Sequence, residues 1–421
     1  MALGIYISVP FCRTKCSFCN FASDVFSRAV FDRYADRVCA DIEHANQIAE
    51  AMGARIEREV DSIYLGGGTP TVLESAQLER IFNAVRRQFD VSDVNDVSKD
   101  AEVTVECAPG TLSAPVLDSL LRCGVNRVSL GVQSFVDAEA AAVGRLHTRA
   151  IVLDDIARLR AAGIAEINID LIAGLPHQTA ESWGFSLAET IATGVPHVSV
   201  YMLEVDEDSR LGRELLAGGM RYHAHFVPDD GLTADFYTAA CEQLQAAGIA
   251  QYEISNFARA GHESRHNLKY WTRQPYLGFG VDAHSMGLAM DREGHDLRAA
   301  TEHKIEQGFS PCEAEAVRFA TADSLEHYSA GAPSQRTPVS AEEALEESFF
   351  LGLRLNRGVS LREIESKFGR PAVENLDGVI AELVGSNLLM RDEDVISLTS
   401  RGRLFSNEVF ARFLATQDIV R

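Results

Sequence analysis

The alternation of short apolar runs with amphipathic stretches constrains the fold of this chain more than any other feature. Six runs rich in Val and Ile are each followed by a stretch of helical period, and several of these stretches end at a glycine, where a helix stops easily. This is the pattern of β–α units and a parallel sheet. Six units are too few to close an eight-stranded barrel. An α/β fold built as an open six-unit (βα)6 partial TIM barrel fits this count.

The predicted strands cover residues 4–9, 61–65, 102–106, 126–132, 166–172 and 197–203. The predicted helices cover residues 31–53, 75–89, 114–123, 150–162, 180–193 and 234–247. In such sheets the functional residues lie at the C-terminal ends of the strands, on the loops that follow them. These loops are therefore where a functional site is expected.

Three cysteines, Cys12, Cys16 and Cys19, follow the first predicted strand with C-x3-C-x2-C spacing. A cubane [4Fe–4S] cluster needs one thiolate on each iron, so three ligands leave one iron open for a small molecule. Zinc is the competing interpretation, but a structural zinc site takes four ligands and no fourth Cys or His lies within the motif. A disulfide fits an odd, crowded trio less well. The motif predicts an iron–sulfur cluster.

The cysteine motif, with the aromatic Phe18 before the last cysteine, resembles the hallmark of the radical S-adenosylmethionine enzymes. The resemblance implies that S-adenosylmethionine binds the open iron, and that the reduced cluster cleaves it to a 5′-deoxyadenosyl radical. It also implies the open six-unit barrel as the fold. The cofactors carry the difficult chemistry in such proteins, and the protein holds them dry and oriented.

Further segments match positions that contact S-adenosylmethionine in this family. The glycine run before Pro70 resembles the GGGTP segment, although a tight turn would explain it equally well. Glu106 ends the third predicted strand and would accept ribose hydroxyl groups, unless it caps a helix or forms a salt bridge. Ala108 stands where relatives have Asn, which puts one hydrogen bond in doubt. The cofactor-binding set implied by the resemblance is Tyr6, Phe18, Gly67, Gly68, Thr69, Glu106, Gln133, Arg145 and Asp170.

A later segment, residues 252–285, is similar to the oxygen-independent coproporphyrinogen III oxidase-like family. Its HNxxYW string, from His266 to Trp271, marks the HemW branch, which is regarded as a group of heme chaperones. A neutral imidazole can ligate heme iron, and Tyr270 and Trp271 could cover a porphyrin face. His266 is the first choice of ligand and His284 a weaker one. The alternative is that His266 and Trp271 pack under the barrel mouth. Ser264 replaces a cysteine that relatives often have.

One position bears on the choice of branch. Coproporphyrinogen dehydrogenases of this family carry a fourth cysteine two residues after the third, where this chain has Phe21. The resemblance therefore implies a heme chaperone that binds the cluster, S-adenosylmethionine and heme, and delivers heme to acceptor proteins. Turnover of a porphyrinogen is doubtful, so whether the chain is an enzyme stays open. The alternatives are a coproporphyrinogen III oxidase, a related methyltransferase, and a protein that keeps the cluster only for structure or redox.

Charge and composition limit the partners. The formal net charge is −22, which would repel a phosphate backbone over most of the surface, so nucleic acid is not an expected partner. A local basic patch could still receive propionates. Heme or a related tetrapyrrole, heme-accepting proteins, and a flavodoxin or ferredoxin as electron donor are the expected partners, and a homodimer is considered.

No apolar stretch approaches the length that spans a bilayer, and no secretory leader precedes the first strand, so a reducing cytoplasm is the expected location. The remaining cysteines show no metal-like pairing and are expected to be buried thiols; they are Cys39, Cys107, Cys123, Cys241 and Cys312.

Three regions are predicted along the chain. Residues 1–286 hold the radical S-adenosylmethionine barrel and its extension, residues 287–340 connect, and residues 341–421 form a small C-terminal domain. The stretch 330–338 is rich in Gly, Pro and polar residues and is interpreted as a surface linker. Helices at 361–368 and 373–384 and a strand at 395–398 suit a mainly helical, winged-helix-like domain. Here its expected role is a lid over the barrel mouth.

Overall fold

The computed structural model describes residues 1–91, 101–290 and 314–414. In chain order, the strands are β1 Leu3–Val9, β2 Ala54–Arg55, β3 Glu59–Gly67, β4 Asp90–Val91, β5 Glu102–Cys107, β6 Arg127–Gln133, β7 Glu166–Ala173, β8 His197–Met202, β9 Ala250–Gln251, β10 Asn256–Ala258, β11 Tyr276–Gly280, β12 His284–Ala289, β13 Ala316–Ala320, β14 Gln335–Val339, β15 Val359–Ser360, β16 Leu389–Asp392 and β17 Val395–Leu398.

Helices connect and flank these strands. They cover Phe31–Glu43, Ala45–Ala51, Ser75–Gln88, Ala114–Arg122, Asp137–Ala142, Arg149–Ala161, Ala180–Thr193, Arg210–Ala217, Asp230–Ala246, Arg265–Trp271, Leu325–Ala330, Ala341–Gly352, Leu361–Phe368, Arg370–Glu374, Asp377–Gly385, Ser400–Leu404 and Ser406–Ala411. Single 3-10 turns lie at Arg28–Val30, Pro70–Val72 and Ala224–Phe226. No helix in the described part of the chain is long and apolar enough to cross a membrane.

The predicted six-unit open barrel is confirmed. Strands β1, β3, β5, β6, β7 and β8 lie side by side in this order and pair in parallel. The sheet continues beyond β1 through β11, β12, β13 and β14, and beyond β8 through β10 and β9. Among the described strands, β14 and β9 form its two ends and do not pair with each other, so the sheet stays open.

Side chains alternate between the two faces of the parallel strands, and the two faces differ in chemistry. One face carries aliphatic side chains such as Ile5, Leu65 and Val105, which are buried in the main hydrophobic core with the flanking helices. The other face carries polar side chains that line the lumen of the open barrel; they include Tyr6, Tyr64, Thr104, Ser129, Asn168 and Ser199. A polar lumen surrounded by an apolar shell is suited to holding a polar ligand.

The linker interpretation of residues 330–338 is wrong in one part. Gln335–Val339 forms strand β14, which pairs antiparallel with Ala316–Ala320 at the edge of the sheet. Four of its five residues are exposed, so the composition of an exposed edge strand imitates that of a linker. The predicted helix 31–53 is divided in two at His44, and the predicted helix 373–384 is divided in two after Glu374.

The C-terminal part has its own hydrophobic core, in which the rings of Phe349 and Phe413 stack at 4.8 Å. Strands β15, β17 and β16 form a three-stranded antiparallel sheet beside its helices. Ile254, from the loop between β9 and β10, packs in the same core, and Arg273 pairs with the buried Glu347 at 2.8 Å. The C-terminal part is therefore docked firmly on the barrel.

Candidate functional site

The three cysteines of the motif follow β1, at the C-terminal end of the parallel strands. A group able to donate a hydrogen bond lies near each sulfur: Thr69 Oγ1 lies 3.8 Å from Cys12 Sγ, Arg145 Nη1 lies 3.5 Å from Cys16 Sγ, and Ser23 Oγ lies 4.0 Å from Cys19 Sγ. Hydroxyl and guanidinium groups around sulfur stabilise thiolates and tune a bound cluster. The donor set therefore fits the predicted iron–sulfur cluster.

Burial raises the pKa of the Cys12 and Cys19 thiols, so a cation is needed beside them to favour their thiolate forms. Within residues 1–91, 101–290 and 314–414, no three His, Cys, Asp or Glu side chains converge on one metal ion. In a cubane cluster each thiolate binds a different iron atom, so the three sulfurs do not need to converge on a single point.

The glycine run 66–68 forms a cradle beside the cysteines, at the end of β3. A Cβ atom on Gly68 would lie 2.7 Å from the Phe11 carbonyl oxygen and 3.0 Å from Cys12 Sγ, and Gly67 has a φ of +96°. A Cβ atom on Gly66 would lie 2.8 Å from Glu106 Oε1. A side chain at these positions would fill the space between the cysteine loop and the lumen, so the run keeps that space open for a ligand.

Glu106 lies at the C-terminal end of the lumen, next to the glycine cradle. Tyr64 Oη donates to Glu106 Oε1 at 2.9 Å, and the Gly67 backbone N–H donates to Oε2 at 3.1 Å. Burial and the neighbouring negative charge of Asp170 raise the pKa of Glu106 to about 7. These contacts hold the carboxylate toward the glycine cradle, where it can accept hydroxyl hydrogens from a ligand.

Asp170 is positioned by two neighbours on the same face of the sheet. Ser129 Oγ donates to Asp170 Oδ2 at 2.9 Å, and Asn168 Nδ2 donates to Oδ1 at 2.7 Å. Burial raises the pKa of Asp170, because it penalises the charged carboxylate. Sequence patterns did not single out Tyr64, Ser129 and Asn168. Each occupies a lumen-facing position of its own strand, as Asn168 does two residues before Asp170, and this period of two is the signal that could have found them.

Gln133 and Arg145 lie together at the end of β6. Gln133 has a φ of 69° and follows a register shift in the pairing with β7. The Arg145 guanidinium donates to the Gly131 carbonyl oxygen and reaches Cys16 Sγ. Arg145 therefore links the β6 loop to the cysteine loop, with its charge beside a cluster ligand.

The two predicted aromatic residues have different environments. Tyr6 lines the cavity described below, with its ring centroid 6.1 Å from that of Tyr64. Phe18 packs against a small apolar cluster made of Val143, Ile172 and Leu175. Phe18 thus fixes the cysteine loop to the loops after β6 and β7.

A cavity of about 290 Å³ opens at this end of the lumen. Tyr6, Gly67 and Gly68 line its inner part, beside the cysteines, together with Tyr270. Phe21 and the His284 side chain, each 63% exposed, stand at its mouth. The cavity therefore joins the predicted cofactor cradle to an open, partly aromatic rim.

His266 does not reach this cavity. It is 1% exposed, and both ring nitrogens are engaged, Nδ1 with Ser62 Oγ at 3.0 Å and Nε2 with Tyr270 Oη at 2.9 Å. Burial, aided by the charge of Lys269, lowers the pKa of His266 to about 3. The ring is neutral and fully bonded in this arrangement, which favours a structural role over iron ligation.

The helix Arg265–Trp271, which carries the HNxxYW string, fills the opposite, N-terminal end of the lumen. Glu102, at the start of β5, accepts from the backbone N–H groups of Arg265 and His266 at 3.1 and 3.0 Å. Lys269 Nζ, itself buried, pairs with Asp61 at 2.7 Å. This end of the barrel is thus closed by a bonded helix.

The two aromatic residues of the string divide between these environments. Tyr270 lines the cavity, and its hydroxyl oxygen lies 2.9 Å from His266 Nε2. Trp271 faces the C-terminal domain, where the Arg354 guanidinium lies 4.2 Å from its ring centroid. Tyr270 is therefore near the candidate site, whereas Trp271 contributes to domain docking.

Four of the remaining cysteines fall within the described residues. Cys107 and Cys123 are buried, Cys39 and Cys241 are half-buried, and burial raises the pKa of Cys107 to about 11. Cys312 lies outside the described residues. All four are free thiols; the prediction of a buried thiol is confirmed for Cys107 and Cys123, whereas Cys39 and Cys241 are only half-buried.

Comparison with known proteins agrees with this geometry. The radical SAM superfamily model matches residues 6–187, and the model of the HemN C-terminal domain matches residues 339–405. The heme chaperone HemW of Lactococcus lactis is 33% identical over 414 residues, covering 97% of this chain and 96% of that protein. The heme chaperone HemW of Bacillus subtilis is 34% identical over 411 residues, covering 97% and 98%.

The coproporphyrinogen III oxidase of Escherichia coli has a similar structure, with a TM-score of 0.77 and 23% identity, covering 98% of this chain and 90% of that one. At this identity the likeness shows the fold. The superfamily implies a [4Fe–4S] cluster and S-adenosylmethionine, for which the cysteine loop and the glycine cradle are suited. From its sequence, its fold and the geometry of its site, the chain belongs to the HemW family of radical S-adenosylmethionine proteins.

Proposed function

We propose that this chain is a heme chaperone that binds heme at the open end of its barrel and delivers it to acceptor proteins. The observation that carries the proposal is similarity along almost the whole chain to proteins named heme chaperone HemW. The open, partly aromatic rim of the cavity supports it, since flat apolar macrocycles bind against aromatic side chains.

Cys12, Cys16 and Cys19 would hold the cluster, and the glycine cradle with Glu106, Gln133, Arg145 and Asp170 would hold S-adenosylmethionine. When bound, the reduced cluster supplies an electron that can cleave the sulfonium. The residues of this chain would position the bound cofactors and shield them from water: Glu106 accepts hydroxyl hydrogens, Arg145 lies beside Cys16, and Phe18 fixes the cysteine loop.

Porphyrinogen oxidation is the enzymatic alternative. It is retained because the chain has the same fold as a coproporphyrinogen III oxidase. Phe21 argues against it, because its phenyl ring stands at the cavity mouth where dehydrogenases of the family have a cysteine. The proposal includes heme-accepting proteins and an electron donor such as a flavodoxin or ferredoxin as partners. It also includes a cytoplasmic location, since the three cysteine thiols must stay reduced to bind iron.

The proposal is tested by anaerobic reconstitution of the cluster, followed by separate titrations with heme and with coproporphyrinogen III. The Soret band reports heme binding, chromatography reports decarboxylated porphyrinogen and 5′-deoxyadenosine, and an added apo-hemoprotein reports transfer. We expect stoichiometric heme binding, transfer to the acceptor and no porphyrinogen turnover. Porphyrinogen turnover without heme binding would overturn the proposal in favour of the enzyme.

A further inference from the structure

His284 differs from His266 in every respect that matters for a metal ligand. Its side chain is 63% exposed, it lines the mouth of the cavity, and neither ring nitrogen makes a hydrogen bond among the described residues. His266 is buried with both nitrogens bonded. An iron ligand needs a ring nitrogen with a free lone pair and a path to the ligand, and His284 meets both conditions.

The turn that carries His284 is held in an unfavourable backbone conformation. Asp282, two residues earlier, has a φ of 55°, in the left-handed region that non-glycine residues rarely adopt. Hydrogen bonds to the neighbouring chain hold the turn: Asp282 N donates to the Ala322 carbonyl oxygen at 2.8 Å, Ala283 N donates to Thr321 Oγ1 at 2.9 Å, and Thr321 N donates to the Ala283 carbonyl oxygen at 3.0 Å. Strain of this kind persists only where surrounding bonds enforce it, and it clusters at functional sites.

The same turn supplies a carboxylate partner for the imidazole. Asp282 Oδ1 lies 3.8 Å from His284 Nε2. Histidines that bind metals commonly direct their second nitrogen to a carboxylate, which orients the ring and increases its basicity. His284 can therefore direct one nitrogen to Asp282 and offer Nδ1 to a metal in the cavity mouth.

An aromatic side chain faces the same opening from the cysteine loop. Phe21 is 63% exposed, yet its backbone is fixed, since Lys15 Nζ donates to the carbonyl oxygens of Phe21 and Ser23 at 3.1 and 2.7 Å. Tyr276 also lines the cavity, with its ring centroid 4.7 Å from that of Tyr270. An exposed aromatic ring on an anchored loop is a prepared apolar surface for a ligand.

We propose that His284 is the axial ligand of heme iron, with the macrocycle lying across the cavity mouth between Phe21 and the β11–β12 turn. The inference rests on the proposed function and names the site at which heme is held. At about 290 Å³ the cavity is at the lower limit of ligand pockets, so heme would keep one edge in solvent. An exposed edge is what transfer to an acceptor requires.

The test compares heme binding by the full chain with cluster reconstituted, using ferric heme and following absorbance and electron paramagnetic resonance. Asp282→Asn should weaken heme affinity by about tenfold, the usual cost of removing the carboxylate behind a ligating histidine. His284→Ala should weaken it further and remove the imidazole-ligated spectrum. In His284→Gly, added imidazole should restore that spectrum. His44→Ala is the matched control, because His44 is another exposed histidine on a distant helix end.

Wild-type affinity and spectrum in His284→Ala, alongside heme binding by the wild type, would overturn the assignment of His284 and leave the chaperone proposal standing. Absence of heme binding by the wild type itself would overturn both. Restoration of the ligand spectrum by imidazole in His284→Gly, with His44→Ala unchanged, is the result that the inference predicts.

Discussion

The two ends of the barrel lumen are both rich in polar and aromatic side chains, but they use them differently. At the N-terminal end, Glu102, Lys269 and both nitrogens of His266 bond to the chain itself, and a helix closes the opening. At the C-terminal end, Glu106 is held in an unfavourable buried state, and neither ring nitrogen of His284 makes a hydrogen bond among the described residues. Residue type does not distinguish a structural polar group from a ligand-binding one; the state of its bonds does.

The largest effect is expected at the C-terminal end, from Cys16→Ser. A hydroxyl is a poor iron ligand, so the reconstituted protein should lose its cluster almost completely and, with it, its affinity for S-adenosylmethionine. Iron and sulfide analysis and the absorbance of the cluster measure this. Cys39→Ser, a half-buried thiol outside the motif, should keep the full cluster. Retention of a [4Fe–4S] cluster by Cys16→Ser would mean that the motif does not hold it.

The next largest effect is expected at the N-terminal end, from Glu102→Ala. The change removes the acceptor of two helix N–H groups and leaves the buried Arg127, 3.2 Å away, with fewer partners. Removing one partner of a buried ion pair costs about 3 kcal/mol of unfolding free energy. Urea unfolding measures this, with Glu382→Ala as the exposed ion-pair control that should stay near wild type. An unchanged midpoint would contradict the view of this end as a structural closure.

Glu106→Gln should separate stability from binding at the C-terminal end. The pKa of Glu106 is about 7 in the fold against 4.5 in the unfolded chain, so the fold prefers the protonated acid and loses stability as pH rises between these values. The loss is about 3 kcal/mol above pH 7. The variant should therefore show a flatter decline of the urea midpoint between pH 5 and 8, while binding S-adenosylmethionine more weakly at pH 8. An identical pH profile in both proteins would refute the pKa shift.

The smallest effect is expected from Phe21→Ala at the cavity mouth. Loss of one aromatic contact should weaken heme affinity by about 1 kcal/mol, or about fivefold, without moving the urea midpoint. Phe185→Ala, which removes an exposed ring from the helix Ala180–Thr193, is the control. Equal effects of the two changes on heme affinity would show that heme binds apolar surface without selecting the rim.

Much of the fold could be predicted because the alternation of residues within each strand is regular. The strand predicted at 395–398 and the helices predicted at 361–368 and 180–193 match the structure residue for residue. The edge strand Gln335–Val339 could not be predicted in this way. Its exposed polar residues carry no alternation, and its pairing with Ala316–Ala320 depends on contacts outside the segment.

The candidate site, like the fold, could be predicted from the sequence only in part. Cysteine spacing and the glycine run lie within single loops, and the structure brings these residues together beside Glu106. The environment of His266 could not be read from its neighbours in sequence, because its partner Ser62 lies 204 residues away. Short-range patterns thus indicate candidate residues, and long-range bonds show which of them, such as His266, are bonded within the chain itself.

The central claim is that the two ends of the lumen have separate tasks, and two histidines test it most directly. Heme affinity and the urea midpoint are measured side by side for His284→Ala and His266→Ala. We expect His284→Ala to lose heme affinity at an unchanged midpoint. We expect His266→Ala to lower the free energy of unfolding by about 2 kcal/mol and to keep the ligand spectrum while folded. A His266→Ala protein of wild-type stability that has lost the heme ligand spectrum would contradict this division between the two ends.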